Sequence, residues 1–201
     1  MDIPGTVATT LGKHHAVRRV RLVGSRAEGT PTRFSDWDFA IDIRPNGFPS
    51  VAEALPDLVR PLHPIAQQWE RLSDHAGYML VLAGPMKVDL LFDAPQDQES
   101  PWTLTAFTLA GIDDHFWDWF LWLLSKEDAG RQETVSAELG KMFDHLLRPM
   151  GVQQRPTDLV AAIDTYVHAR DEAESNLGVP VKRALEQEVR KAWRRRNTGE
   201  A

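Results

Sequence analysis

The sequence contains no cysteine. That absence excludes a disulfide framework, a thiolate metal site and a cysteine nucleophile together, and makes a reducing, cytoplasmic setting the expectation. It also lacks any run approaching the roughly 20 apolar residues that a bilayer-spanning helix needs. Its start, MDIPGTVATT, has no basic residues leading into an apolar stretch, so neither a membrane nor export is expected. A third absence is local. Between Lys87 and Lys126 there is no Lys or Arg, while Asp89, Asp93, Asp97, Glu99, Asp113, Asp114 and Asp118 all fall in that interval. A segment of one sign makes a solvated face or a surface for cations. The bias reverses in RKAWRRR at 190–196, although the chain carries a formal net charge of −6. Basic residues at a helix C-terminus complement its dipole, and the acidic balance favours that role over nucleic-acid binding. What is present is 42% apolar and 26% charged residues over 201 positions, enough for one large domain or two small ones with real cores.

No internal repeat or low-complexity segment interrupts the chain, but its texture changes midway. Up to about residue 95, short alternating runs are broken by Gly and Pro: VRRVRLVG, DWDFAIDI, IAQQWERLS, YMLVLAG and MKVDLLF read as strands. PSVAEALPDLVRPL, between the second and third, reads as an irregular helix. From Pro101 the periods are helical, in WTLTAFTLAGIDDHFWDWFLWLLSKED, RQETVSAELGKMFDHLLRPMG, TDLVAAIDTYVHARDEAESNLG and VKRALEQEVRKAWRRR. QDQES, bracketed by Pro95 and Pro101, is the expected linker. The fold class is therefore α+β, with a mixed-sheet domain over 1–95 and an α-helical bundle over 101–201.

Strand alternation separates Trp37, Phe39, Ile41 and Ile43, a core face, from Asp36, Asp38, Ala40 and Asp42. Asp36 and Asp38 then stand about 6 to 7 Å apart at their bases, given a rise of about 3.3 Å per residue. Two carboxylates this close repel unless a cation neutralises them, and oxygen ligands suit Mg²⁺. In MKVDLLFD the same alternation puts Val88, Leu90 and Phe92 inward and Lys87, Asp89, Leu91 and Asp93 outward. Should that strand lie beside the first, Asp89 joins the pair, and three carboxylates can hold two Mg²⁺ ions roughly 4 Å apart for phosphoryl chemistry. The plain alternative is three acids solvating one face of a sheet. One loop upstream, Gly24 ends a strand and Ser25 opens a short helix, SRAEG, a place where backbone N–H groups can meet a phosphate. Arg26 is a phosphate contact, or a partner for Glu28 or a neighbouring acid. Lys87 is a phosphate contact or a solubilising group. His14 and His15 have no ligand-like company, and Trp69, Trp102 and Trp193 read as core or interface anchors.

Together, Gly24-Ser25, Asp36-Trp37-Asp38 and Asp89 resemble the signature of nucleotidyltransferases with the DNA polymerase β-like fold, over residues of about 17 to 93. GSRAEG followed by FSDWDFAI is similar in form to the small bacterial antibiotic-modifying branch. The resemblance implies ATP or another NTP bound with Mg²⁺, with the triphosphate against Gly24 and Ser25, and an acceptor bound by the second domain. In the helical half, DDHFWDW looks similar to a short motif of the aminoglycoside adenylyltransferases. Helical spacing gathers Asp114 with Asp118, and His115 with Asp118 and Trp119. One reading makes them a cleft wall, with Asp114 the general base and Asp113, His115 and Asp118 binding the acceptor. The other makes Asp113 and Asp114 caps of the helix N-terminus.

The expected activity is Mg²⁺-dependent transfer of a nucleoside monophosphate, AMP from ATP by preference, to a hydroxyl of a small cationic acceptor such as an aminoglycoside, with release of pyrophosphate. ATP and that acceptor are the expected partners. Neither a membrane nor nucleic acid is expected, and a homodimer is left open. The alternative is an antitoxin-type nucleotidyltransferase that binds or AMPylates a partner protein. An enzyme extending RNA ends would call for a basic groove or a third domain, and neither is visible.

Overall fold

A computed structural model describes residues 2–73, 75–96 and 101–198. The chain divides into two compact units, Met1–Pro31 with Ser35–Glu99, and Thr32–Phe34 with Ser100–Ala201. Residues 97–100 of the expected linker, and with them Asp97 and Glu99, lie outside the described residues.

The first unit is built on a five-stranded sheet of β1 (Val17–Val23), β2 (Trp37–Ile43), β3 (Ala66–Trp69), β4 (His75–Leu82) and β5 (Met86–Pro95). Each strand coincides with one of the runs expected from alternation. The order is β1-β2-β5-β4-β3. Of the neighbouring pairs, β2 and β5 run parallel and the rest antiparallel. Parallel neighbours cannot be joined by a tight hairpin. Accordingly, the chain leaves β2 through a helix at Phe48–Leu58 and the β3–β4 hairpin before it returns as β5.

Among its described residues this unit has three α-helices, α1 (Ile3–Leu11), α2 (Gly24–Ala27) and α3 (Phe48–Leu58), and a 3-10 turn at Arg60–Leu62. Ile3, Val7 and Leu11 of α1, spaced four apart, join Val51 and Leu55 of α3, Phe39 and Ile41 of β2, and Val88, Leu90 and Phe92 of β5 in one core. This fixes which face of the sheet is apolar, and the carboxylates occupy the other. α1 was not among the helices expected, because IPGTVATTL combines Pro, Gly and β-branched residues of low helix propensity. Two features offset that composition. The Asp2 carboxylate accepts the Gly5 N–H at 3.1 Å as an N-cap, and the buried stripe supplies tertiary packing.

The second unit is helical: α4 (Leu109–Asp128), α5 (Gln132–Met142) running on into a π-type turn over Phe143–Leu147, α6 (Leu159–Leu177) and α7 (Ala184–Thr198). α4 packs against α5, α6 and α7, consistent with its being apolar nearly all round. It starts at Leu109 rather than near Trp102, since the threonines before it bind each other and the backbone instead of continuing a helix. The Thr105 N–H donates to Thr108 Oγ1 at 2.9 Å, and the Thr108 hydroxyl donates to the Thr103 carbonyl at 2.6 Å. A mixed sheet followed by helices is the α+β architecture expected. Among the described residues, no helix is long and apolar enough to cross a membrane.

Candidate functional site

The sheet register brings the acids together. Parallel pairing of β2 with β5 sets Asp38 level with Asp89, and antiparallel pairing with β1 sets Val23 level with Asp38. Asp36, one residue before β2, is buried, and Asp38 and Asp89 are half-buried. One oxygen from each of the three carboxylates lies within 4.8 Å of the others. Asp42, on the same face but farther along β2, is paired instead with Arg21 at 3.1 Å.

This donor set fits a hard cation. It is all oxygen, and the three ligand atoms already lie within 4.8 Å of one another, the hard donor type that Mg²⁺ takes. Three like charges in so small a volume also favour neutralisation by a cation.

Gly24 follows β1 with φ at +67°, the left-handed region that glycine tolerates best. A Cβ built there would run into the Asp38 carboxylate. The positive φ and the close Asp38 carboxylate both favour glycine here, the second being a reason that the sequence pattern did not disclose. Ser25 is half-buried at the start of the single helical turn α2, and its carbonyl accepts the Thr30 N–H at 2.9 Å.

Arg26, expected as a phosphate contact or a partner of Glu28 or a neighbouring acid, reaches the backbone next to the acids. Its Nε donates to the carbonyls of Ser35 and Asp36 at 3.0 and 3.1 Å, and its Nη2 donates to Ser35 at 2.7 Å. The guanidinium also lies 4.3 Å from the centre of the Trp37 ring. These contacts clamp the backbone that carries Asp36, which makes Arg26 a positioning residue. Lys87 is likewise turned inward, with Nζ 2.5 Å from both oxygens of Asp89.

In the helical unit, the residues singled out around α4 fare differently. Asp113 and Asp114 do not cap the helix, which begins four residues earlier at Leu109 and has no acid in its first turn. Asp113 is 2% exposed and accepts hydrogen bonds from the Tyr166 hydroxyl at 2.6 Å and Trp117 Nε1 at 3.3 Å. Arg170, on α6, stands 3.6 Å from it and pairs with Glu186 of α7 at 2.5 Å. Burial pushes the Asp113 carboxyl up despite the Tyr166 hydrogen bond and Arg170. His115 is buried, takes the Trp102 indole N–H on Nδ1 at 3.0 Å and stacks on Trp119 at 5.5 Å. Asp118 is 4% exposed. Asp113 and His115 are thus buried and engaged by partners within their own unit. Asp114 differs. It is half-buried, and burial together with the neighbouring Asp113, opposed by Lys182, pushes its carboxyl up to about 7.

The Tyr166–Arg170–Glu186 network was missed from the sequence. Its signal was Arg170 standing at helical spacing among Ala162, Ile163, Tyr166, Ala169 and Ala173, an apolar stripe in which an arginine must be paired.

No protein-family model and no curated protein matches the chain. Among solved structures, the polymerase core of TRAMP, a RNA surveillance complex, aligns with a TM-score of 0.35 at 11% identity, over 83% of this chain and 57% of its own. An aminoglycoside 6-adenyltransferase from Bacillus subtilis aligns with a TM-score of 0.32 at 11% identity, over 91% of this chain and 93% of its own. The chain thus spans less than two thirds of the first. At TM-scores of 0.35 and 0.32 neither likeness carries an argument about this chain.

Proposed function

We propose that the chain is a Mg²⁺-dependent nucleotidyltransferase that moves AMP from ATP to a hydroxyl of a small, cationic acceptor such as an aminoglycoside. The observation that supports this reading is the convergence of Asp36, Asp38 and Asp89, with ligand oxygens within 4.8 Å of one another, beside the turn that carries Gly24 and Ser25. A divalent cation bound there would offset the mutual repulsion of the three carboxylates.

Asp36, Asp38 and Asp89 would hold the cation. When bound, Mg²⁺ neutralises triphosphate charge and favours in-line displacement at phosphorus. Gly24 and Ser25 are assigned the triphosphate through their backbone N–H groups and the serine hydroxyl. The acceptor oxygen forms the new bond to the α-phosphorus as the bond from that phosphorus to the pyrophosphate oxygen breaks. The hydroxyl proton passes to a base, and Asp114 is the residue assigned. A carboxyl pushed up to about 7 is a better proton acceptor than an ordinary one and still ionises near neutrality.

The test is a panel of hydroxylated acceptors, cationic and neutral, incubated with ATP and Mg²⁺ while pyrophosphate release is followed. Asp36→Asn and Asp38→Asn should each lower turnover by about 100-fold or more with the fold retained. Turnover within about tenfold of the parent in either variant, with the same Mg²⁺ dependence, overturns the assignment.

A further inference from the structure

We propose that Lys87 is a built-in cation of the carboxylate site, holding Asp89 and thereby limiting how tightly the site takes a divalent metal when no nucleotide is present. The proposal rests on the metal-site reading of Asp36, Asp38 and Asp89.

Lys87 and Asp89 are two apart on β5 and so share a face. The ammonium sits 2.5 Å from both Asp89 oxygens, and the two side chains are only 6% and 15% exposed. Lys87 thus directs its ammonium at Asp89 rather than into solvent. Its cross-strand neighbour on β4 is Val81, and that of Asp89 is Met79. Both are buried, so the β4 side gives the ammonium an apolar flank, and the favourable direction is toward the acids.

The charges follow. Three carboxylates carry three negative charges, and one ammonium leaves a net of two, which a single divalent ion balances. A metal drawn to Asp89 must share that carboxylate's oxygens with Lys87 or displace it, and it feels the ammonium's repulsion either way. Asp36 and Asp38 keep their claim on an ion, while Asp89 is held in position by the chain's own cation.

The experiment is a Mn²⁺ titration without nucleotide, reading free Mn²⁺ by electron paramagnetic resonance. It compares the parent with Lys87→Met, Lys87→Gln, Lys87→Arg and Asp36→Asn, each checked for folding by circular dichroism. Lys87→Met and Lys87→Gln should bind Mn²⁺ about tenfold more tightly than the parent, or bind it where the parent does not. Lys87→Arg keeps the charge and should stay within about threefold. If the two neutral variants bind no more tightly than the parent while Asp36→Asn loses binding, the lysine does not oppose the metal and the proposal fails, though the metal site stands. If no protein in the series binds Mn²⁺, both readings fall together.

Discussion

At Gly24 the backbone conformation and the chemistry meet in one residue. A non-glycine residue at positive φ carries a cost of about 1 to 2 kcal/mol, and here its Cβ would also press on the Asp38 carboxylate. Gly24→Ala should therefore destabilise the protein by on the order of 1 to 3 kcal/mol and weaken Mn²⁺ binding without any nucleotide present. Thermal melting and the Mn²⁺ titration measure the two effects. Intact Mn²⁺ affinity, with ATP binding alone impaired, would mean that the glycine serves the phosphate and not Asp38. The carboxylates themselves were legible in the sequence, because period-2 alternation assigns Asp36, Asp38 and Asp89 to faces without knowledge of the fold. What Gly24, Arg26 and Lys87 touch was not legible. Those contacts depend on which strands are neighbours and in what register, and Arg26 reaches carbonyl groups that leave no trace in side-chain pattern.

Elements show the same division. Five strands and the helices from α4 onward follow from periodicity, whereas α1 depends on a cap and on tertiary packing, and the start of α4 on threonines that bind locally. That start matters for Asp114. A carboxyl in the first turn would gain from the helix dipole and ionise more readily, whereas Asp114, one turn further in, is pushed up to about 7 by burial and by the neighbouring Asp113. The sign of its linkage to stability follows. Between the ordinary carboxyl range and about 7, the folded state keeps a proton that the unfolded chain gives up, so the stability it contributes is complete at low pH and is lost as pH rises through about 7. Asp114→Asn should accordingly raise stability at pH 8 by on the order of 1 kcal/mol, with little change at pH 4. As the assigned base, Asp114 works only when ionised, so kcat should climb with pH to a plateau above about 7. In the asparagine variant that limb should vanish and kcat should fall more than the acceptor KM changes. Denaturant melts at the two pH values and steady-state rates across pH 5.5 to about 8.5 check both arms. A rise that survives in the variant would assign the proton to another group.

At the scale of the whole molecule, the charge distribution bears on the acceptor. Three basic residues of the end of α7 pair within their own unit. Arg196 pairs with Glu127 at 2.7 Å and Asp128 at 2.6 Å, Arg190 with Glu186 at 2.7 Å, and Lys191 with Glu188 at 2.6 Å. These pairs offset part of the tail's positive charge, and the molecule keeps its formal net charge of −6. Such a field attracts a polycation over a range set by the Debye length, about 10 Å at 0.1 M salt and about 3 Å at 1 M. The acceptor KM of a cationic aminoglycoside should therefore rise severalfold as salt goes from about 0.05 to 0.5 M, while a neutral hydroxylated acceptor shows little change. ATP, which is anionic, should show no such loss of affinity in the same titration, because screening relieves its repulsion. Initial-rate measurements at three salt concentrations, with each substrate varied in turn, separate these trends. A cationic acceptor whose KM ignores salt would remove the electrostatic case for that substrate class. The acidic interval would then be a solvated face together with the buried Asp113 and Asp118, and recognition would have to come from shape and hydrogen bonding.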